Sequence, residues 1–216
     1  MKKKIPDVVV RRLPLYLRAV EDYDRREHNV VSSQDLGDWT GLTPAQVRKD
    51  FTFFGEFGKQ GIGYNVKFLK EQLREILRLS EDLHIGLVGF GNLGQAIVHY
   101  HVDAHRRPGP GFVASPDRLR IAAAFDVDEG KVGTEYKGVP IFHVDELSAK
   151  ISELGLRIIV IAVPAEHAQY VVDIAVHSGI QAILNFAPVT LTVPEHVKVH
   201  HTDLTLELQS LAFYTE

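Results

Sequence analysis

Cysteine is absent from all 216 positions, which excludes disulfides, thiolate zinc sites, iron-sulfur clusters and thiol chemistry in one step. No stretch approaches the roughly 18 consecutive apolar residues that would span a bilayer, so no membrane partner is expected. The opening Met1-Lys2-Lys3-Lys4-Ile5-Pro6 has no apolar run behind its charges to act as a secretory leader; the expectation is a cytoplasmic protein. A catalytic set of Lys, His and Tyr is also missing. Eleven histidines are present, and His101 and His105 stand four apart on one helical pattern, but no Cys or carboxylate completes a ligand set, so they read as hydrogen-bonded or surface residues and no metal site is expected.

What is present divides near residue 80. Residues 1–80 hold 15 Lys and Arg against 11 Asp and Glu, a balance of +4; the remainder holds 9 against 17, a balance of −8. A basic module joined to an acidic one fits a polyanion-binding head on a body with another task. In the basic module, Leu13, Tyr16, Leu17 and Val20 fall at i, i+3, i+4 and i+7, predicting an amphipathic helix over about 8–24 decorated by Arg11, Arg12 and Arg18. Ser32 with Asp35 marks a capping box opening a short second helix that Gly41 ends. Thr43 then caps a third helix, with Pro44 at its first position and Gln46 completing a second capping box. Two short helices around a glycine turn outline a helix-turn-helix. Within the third helix Val47, Phe51 and Phe54 share the face expected in the core, while Ala45, Arg48, Lys49 and Thr52 lie broadly opposite, an apolar back with a small-residue, cationic front suited to a major groove. The glycine-rich run 55–64 reads as a hairpin wing with Lys59 and Gln60 at its tip. A small helical domain with a solvated charged face is the competing reading. A further helix, Val66 to Leu79, leads into the second module with no flexible linker.

The acidic module opens on a short apolar strand, His84 to Gly89, running into Gly89-Phe90-Gly91-Asn92-Leu93-Gly94 and a helix to about Asp103. Following a strand and opening a helix, this G-x-G-x-x-G is a strong dinucleotide signal: Gly89 for the turn, Gly91 for backbone approach to a pyrophosphate, Gly94 for close packing of helix on strand, and the helix N-terminus as anion site. The next strand, Ile121 to Phe125, ends in Asp126, a carboxylate placed to accept from both adenosine ribose hydroxyls and to repel a 2′-phosphate, which favours NAD over NADP. The 37 positions from Gly89 to Asp126 are accounted for by an inserted Pro/Gly-rich loop, 106–117. Strand 157–163, helix 165–178 and strand 181–186 continue the alternation of a doubly wound parallel sheet. Ala162-Val163-Pro164 and Asn185-Phe186-Ala187-Pro188 then fall beyond strand ends, where the dinucleotide's second half would lie; ordinary strand-to-helix turns are the alternative.

The order of motifs, Arg11-Arg12-Leu13-Pro14-Leu15-Tyr16-Leu17-Arg18, Gln46-Val47-Arg48-Lys49-Asp50, Phe54-Gly55-Glu56-Phe57-Gly58, Gly61-Ile62-Gly63-Tyr64 and Asn185-Phe186-Ala187-Pro188, resembles the bacterial redox-sensing repressor family Rex across essentially the whole chain. The resemblance implies an α/β protein with an N-terminal winged helix-turn-helix (1–80), a Rossmann NAD(H)-binding domain (81–202) and a C-terminal helix (203–216, about Leu204 to Phe213) exchanged between subunits. It implies a homodimer that binds palindromic double-stranded operators, is released by NADH in competition with NAD+, and catalyses nothing. With no thiol, any redox sensing goes through that bound ligand. The cofactor set is Gly89, Gly91, Asn92, Leu93, Gly94, Tyr100, Asp126, Val127, Ala162, Val163, Pro164, Asn185, Phe186, Ala187 and Pro188. The DNA set is Arg11, Ala45, Gln46, Arg48, Lys49, Thr52, Lys59, Gln60 and Tyr64. Arg18, Tyr100 and Asp203 form an expected switch, Asp203 exchanging a bond to Tyr100 for a pair with Arg18 of the other subunit. The chain departs from the family in the length of the loop after Arg106 and in Leu204, where an aromatic is common. Two other classes remain open on sequence: an NAD-dependent oxidoreductase, which would oxidise NADH with some substrate, and a CoA- or nucleotide-binding protein, which would prefer CoA to NADH.

Overall fold

A computed structural model describes residues 5–55, 57–59, 62–106 and 118–215. Gln60 and nearly all of the expected loop 106–117 lie outside the described residues, and the side chains of Lys59 and His105 are likewise not described. The chain divides into two compact units, 1–81 with 108–118, and 82–107 with 119–216.

The first unit is helical with a small sheet. Helix α1 (Asp7–Arg25) buries Leu13, Tyr16, Leu17 and Val20, the stripe its periodicity predicts. Strand β1 (Val30–Val31) precedes α2 (Ser33–Thr40), whose capping box is formed in both directions between Ser32 and Asp35 and whose end is turned by Gly41 at φ 74°. In α3 (Pro44–Phe51) the Thr43 hydroxyl accepts from the Gln46 backbone N–H. The expected second capping box is not made: the Gln46 side chain runs along the helix to Asp50, because a buried carboxylate outcompetes the return bond to the cap. Strands β2 (Gly58–Lys59) and β3 (Gly63–Asn65) pair antiparallel as the wing, and β1 adds to β3, giving the order β1-β3-β2. Helix α4 (Val66–Ile76), capped by Asn65, sends Leu69 and Leu73 into the same core.

The second unit is a seven-stranded sheet. Its strands are β4 (Leu83–Val88), β5 (Leu119–Asp126), β6 (Glu135–Tyr136), β7 (Val139–His143), β8 (Leu156–Ile161), β9 (Ala182–Asn185) and β10 (Lys198–His201). The order is β10-β9-β8-β4-β5-β7-β6, with every pair parallel except the edge pair β6-β7. From β4 the chain winds outward through β5 to β7, then crosses back to β8 on the other side, so β4 and β8 flank the topological switch point of a Rossmann sheet. Helix α5 (Asn92–Arg106) supplies Val98 to one face; α6 (Leu147–Glu153) and α7 (Ala165–His177) cover the other with Leu147, Ile151, Ala168, Val171 and Val172. Helix α8 (Leu204–Ala212) closes the chain. The pattern reading found β4, β5, β8, β9, α5 and α7, the resemblance supplied α8, and β6, β7, α6 and β10 were missed.

Two glycines set the geometry at the switch point. A Cβ on Gly89, itself at φ 95°, would stand 2.5 Å from the Ala162 carbonyl oxygen, and one on Gly94 would stand 2.1 Å from the Gly89 carbonyl oxygen. Gly94→Ala is therefore expected to destabilise this unit by about 3 kcal/mol, since neither partner is a side chain that can turn away. Trp39, the single tryptophan, belongs to the first unit. Urea unfolding followed by far-ultraviolet dichroism should shift to lower denaturant while the midpoint of Trp39 fluorescence stays in place.

Candidate dinucleotide crevice and nucleic-acid interface

Beyond the carboxyl ends of β4, β5 and β8 lies a cavity of about 410 Å³. Its walls include Gly89 and Gly91 of the glycine turn, Asp126 at the end of β5 and Val127 after it, and Ala162, Val163 and Pro164 after β8. A Cβ on Gly91 would meet no protein atom within 4 Å, so what the glycine leaves free is open space in which a ligand can approach backbone. Sequence reasoning missed Val144, just past β7, because that strand went unread. It also missed His167, Tyr170 and Val171, which line the cavity from α7; their i, i+3, i+4 spacing on a helix leaving a switch-point strand was the available signal.

Asp126 does more than its position at the strand end suggests. Its Oδ2 accepts the Phe90 backbone N–H at 2.7 Å and its Oδ1 the Asp128 N–H at 2.9 Å. Lys131 Nζ stands 3.5 Å from Asp126 and 3.2 Å from Asp128. The carboxylate therefore ties the glycine turn to the end of β5, and retains lone pairs for further donors. Backbone and lysine hydrogen bonds hold the Asp128 carboxyl below its usual range.

Other residues of the expected cofactor set lie outside this cavity. Asn92 and Leu93 are exposed on the first turn of α5, Gly94 is buried beneath it, and Tyr100 lies on the same helix with most of its surface exposed. Asn185 ends β9. It is buried, and its amide bonds within the chain, Oδ1 accepting from Ala187 N–H and Nδ2 donating to the carbonyls of Ala187 and Val189, with His201 Nδ1 at 3.1 Å. It shapes the turn that carries half-buried Phe186, buried Ala187 and exposed Pro188. Asp203 caps α8, its Oδ1 accepting from Thr205 and Leu206. His101 Nε2 lies 2.7 Å from the Leu119 carbonyl, and among the described residues no group of three or more potential metal ligands occurs.

In the first unit the polar centre is Asp50, wholly buried in α3. Arg12 Nε and Nη2 donate to its two oxygens at 2.6 and 2.7 Å, Tyr16 Oη donates to Oδ2 at 2.7 Å, and Gln46 Nε2 to Oδ1 at 2.7 Å. Burial pulls the Asp50 carboxyl up, but the bonds from Arg12, Tyr16 and Gln46 outweigh it and leave the group below its ordinary value. Burial, with the adjacent carboxylate, pushes the Tyr16 phenol well up, so it stays a donor. Outward from this centre, Ala45, Arg48, Lys49 and Thr52 are exposed, as are Arg11 and Arg18 on α1. Arg48 Nη1 donates to Ser33 Oγ at 2.8 Å, and the Thr52 hydroxyl to the Lys49 carbonyl. Two members of the expected DNA set are placed differently: Gln46 is turned to Asp50, and Tyr64 packs its half-buried ring edge-on to Phe51 at 5.2 Å.

Residues 4–52 match a family model described as "Putative DNA-binding protein N-terminus" and residues 80–189 one described as "CoA binding domain". The redox-sensing transcriptional repressor Rex of Brevibacillus brevis is 43% identical over 98% of this chain and 97% of its own, and that of Roseiflexus sp. is 44% identical over 97% and 90%. The crystal structure of RSP in complex with β-NAD+ and operator DNA superposes with a TM-score of 0.84 at 32% identity, covering 99% of this chain and 94% of RSP. RSP, a Rex-family repressor, is also known in complex with β-NADH, at TM-score 0.81 and 29% identity, covering 99% and 95%.

The depressed Asp50 carboxyl has a consequence for acid stability. A group lowered by folding stabilises the fold above its unfolded value, here 3.8, and that contribution disappears as pH falls toward the folded value. Trp39 fluorescence should report loss of stability of the first unit below about pH 4. Asp50→Asn should flatten that acid limb and lower the neutral-pH plateau by about 2–3 kcal/mol, Arg12 being partly open to water. An unaltered acid limb in the variant would assign it to other carboxyls.

Proposed function

The chain belongs to the Rex family of redox-sensing transcriptional repressors, and we propose that it grips palindromic operator DNA with its first unit and reads the NADH/NAD+ balance with its second. It is a repressor and not an enzyme, and the oxidoreductase and CoA readings are not favoured. The carrying observation is the pairing, in one chain, of an outward cationic helix face, Arg48 and Lys49, with a switch-point crevice whose Gly91 leaves open space. RSP, alike over nearly its whole length, binds both β-NAD+ and operator DNA; we assign the same two ligands, and NADH, to this chain.

Arg48 and Lys49, with Ala45 and Thr52, face the major groove; Arg11 and the β2–β3 wing face backbone and minor groove. The glycine turn and Asp126 hold pyrophosphate and adenosine ribose, and the turns carrying Val163, Pro164, Phe186, Ala187 and Pro188 border the nicotinamide half. The chain acts as a homodimer with α8 exchanged between subunits. That reading is supported by the exposure of Leu204, Leu206, Leu208, Leu211, Phe213 and Tyr214, 58–82% of each open, apolar surface on more than one side of the helix and of the kind a partner covers. Arg18, Tyr100 and Asp203 carry the switch. Operator DNA and a dinucleotide as ligands support a cytoplasmic location, and no described helix is long and apolar enough to cross a membrane.

Ligand release of DNA requires that NADH prefer the unbound conformation, with a coupling of about 1–3 kcal/mol. Fluorescence anisotropy of an operator duplex should show binding that weakens steeply with salt, is reversed by NADH and is protected by NAD+. Lys49→Glu should abolish it while NADH binding persists. Asp126→Ala should weaken NADH and narrow the preference for NADH over NADPH seen by calorimetry. Equal affinities of the unaltered protein for the two cofactors would sink the assignment of Asp126.

A further inference from the structure

We infer that Asp50 is a positioning residue for DNA recognition, a buried carboxylate that fixes the roll of α3 about its axis and thereby the direction in which Arg48 and Lys49 leave the protein. The inference rests on the reading of α3 as the DNA-facing helix.

Helix α3 has eight residues, and its buried apolar side chains, Val47 and Phe51, stand four apart. At about 100° per residue these two lie within about 40° of each other, close to a single line along the helix. Contacts along one line are non-directional and leave roll weakly defined. Asp50 lies on the flank of that line, about 60° from Val47 and 100° from Phe51, and about 100° from Lys49 on its other side. Its bonds are directional. Arg12 presents a two-pronged fork, Tyr16 one turn later on α1 adds a hydroxyl, and Gln46 one turn earlier on α3 completes the set. A roll of about 20° would carry an atom about 6 Å from the axis by about 2 Å, too far for these bonds, and too far for a base contact made by Arg48 or Lys49. Apolar residues of like volume would serve stability as well as a buried ion pair does. What they would not supply is the angle.

The test separates angle from stability. Asp50→Asn keeps the volume and removes the charge; Arg12→Met with Asp50→Leu replaces the pair by apolar packing and keeps the question open to measurement if the first variant folds poorly. The probes are the duplex that the unaltered protein enriches from a random-sequence pool and a scrambled duplex of equal length, at one salt concentration. Folded fraction is followed by Trp39 fluorescence, and NADH affinity by calorimetry. Loss of well-aimed base contacts corresponds to about a tenfold to hundredfold fall in affinity for the enriched duplex. Scrambled-duplex affinity should stay within about threefold, since phosphate contacts tolerate a small roll, and NADH affinity within about twofold. An unchanged ratio of the two duplex affinities in a folded variant, or a fall of both in step with the folded fraction, overturns the inference and leaves Asp50 a structural residue. Should the unaltered protein enrich no duplex, it is the reading of the chain as an operator-binding repressor that fails, and the inference goes with it.

Discussion

The second unit depends on how closely β4 and β8 approach where the sheet changes winding direction. Gly89 ends β4 against the Ala162 carbonyl, and Gly94 brings α5 down onto the Gly89 carbonyl. No side chain fits at either point. Because the backbone occupies that space, the α5 N-terminus sits at the mouth of the crevice and Gly91 faces open volume. The placement of the remaining walls follows: β5 and β7 deliver Asp126, Val127 and Val144 on one side, and β8 with α7 delivers Val163, Pro164, His167 and Tyr170 on the other. Asp126 then closes the arrangement by binding the Phe90 N–H. One carboxylate thus both lines the crevice and fixes the geometry of the glycine turn.

The first unit solves a different problem with the opposite material. Its helix α3 is too short to be anchored by burial alone, since two buried apolar side chains contribute roughly 2–3 kcal/mol each. A fully buried carboxylate with four short donors adds directional bonds. The cost is that Gln46, by pattern one of the outward residues, is drawn inward.

How legible these features were in sequence depends on their range. Motifs fixed by local backbone chemistry were readable: the Ser32/Asp35 box, Gly41 at positive φ, the glycine turn between β4 and α5, and the apolar stripe of α1. Features made by partners distant in sequence were not. Arg12 and Asp50 are 38 residues apart, and Phe90 and Asp126 are 36 apart; nothing in the pattern of either segment announces the other. The Gln46 misreading has the same origin, for a Thr-x-x-Gln signature specifies a capping box until a buried acceptor one turn on competes for the amide. Strand β7 was missed because Pro140 interrupts a five-residue apolar run and the pair it makes with β6 is only two residues deep. With it went Val144. The Asn185 amide was equally unreadable from pattern: it bonds to backbone groups of the turn to Val189, whose path is set by the packing of the fold.

The absence of cysteine gives the assembly its physical character. A thiol sensor records an oxidant by a covalent change that something else must reverse, whereas a protein that binds two redox forms of one ligand reports redox state through their relative occupancy. Competition at one crevice makes the output a function of the ratio of those forms, provided that both bind and that they favour different conformations. NAD+ and NADH share their adenosine, ribose and pyrophosphate groups, so contacts to those groups set the affinity of both and discriminate neither. Discrimination has to arise where the two differ, at the nicotinamide ring, cationic in one form and neutral in the other. Val163 and Pro164 give the crevice wall an apolar stretch, and an apolar border at the ring would favour the neutral form, because a cation buried among apolar groups without a counter-charge is costly.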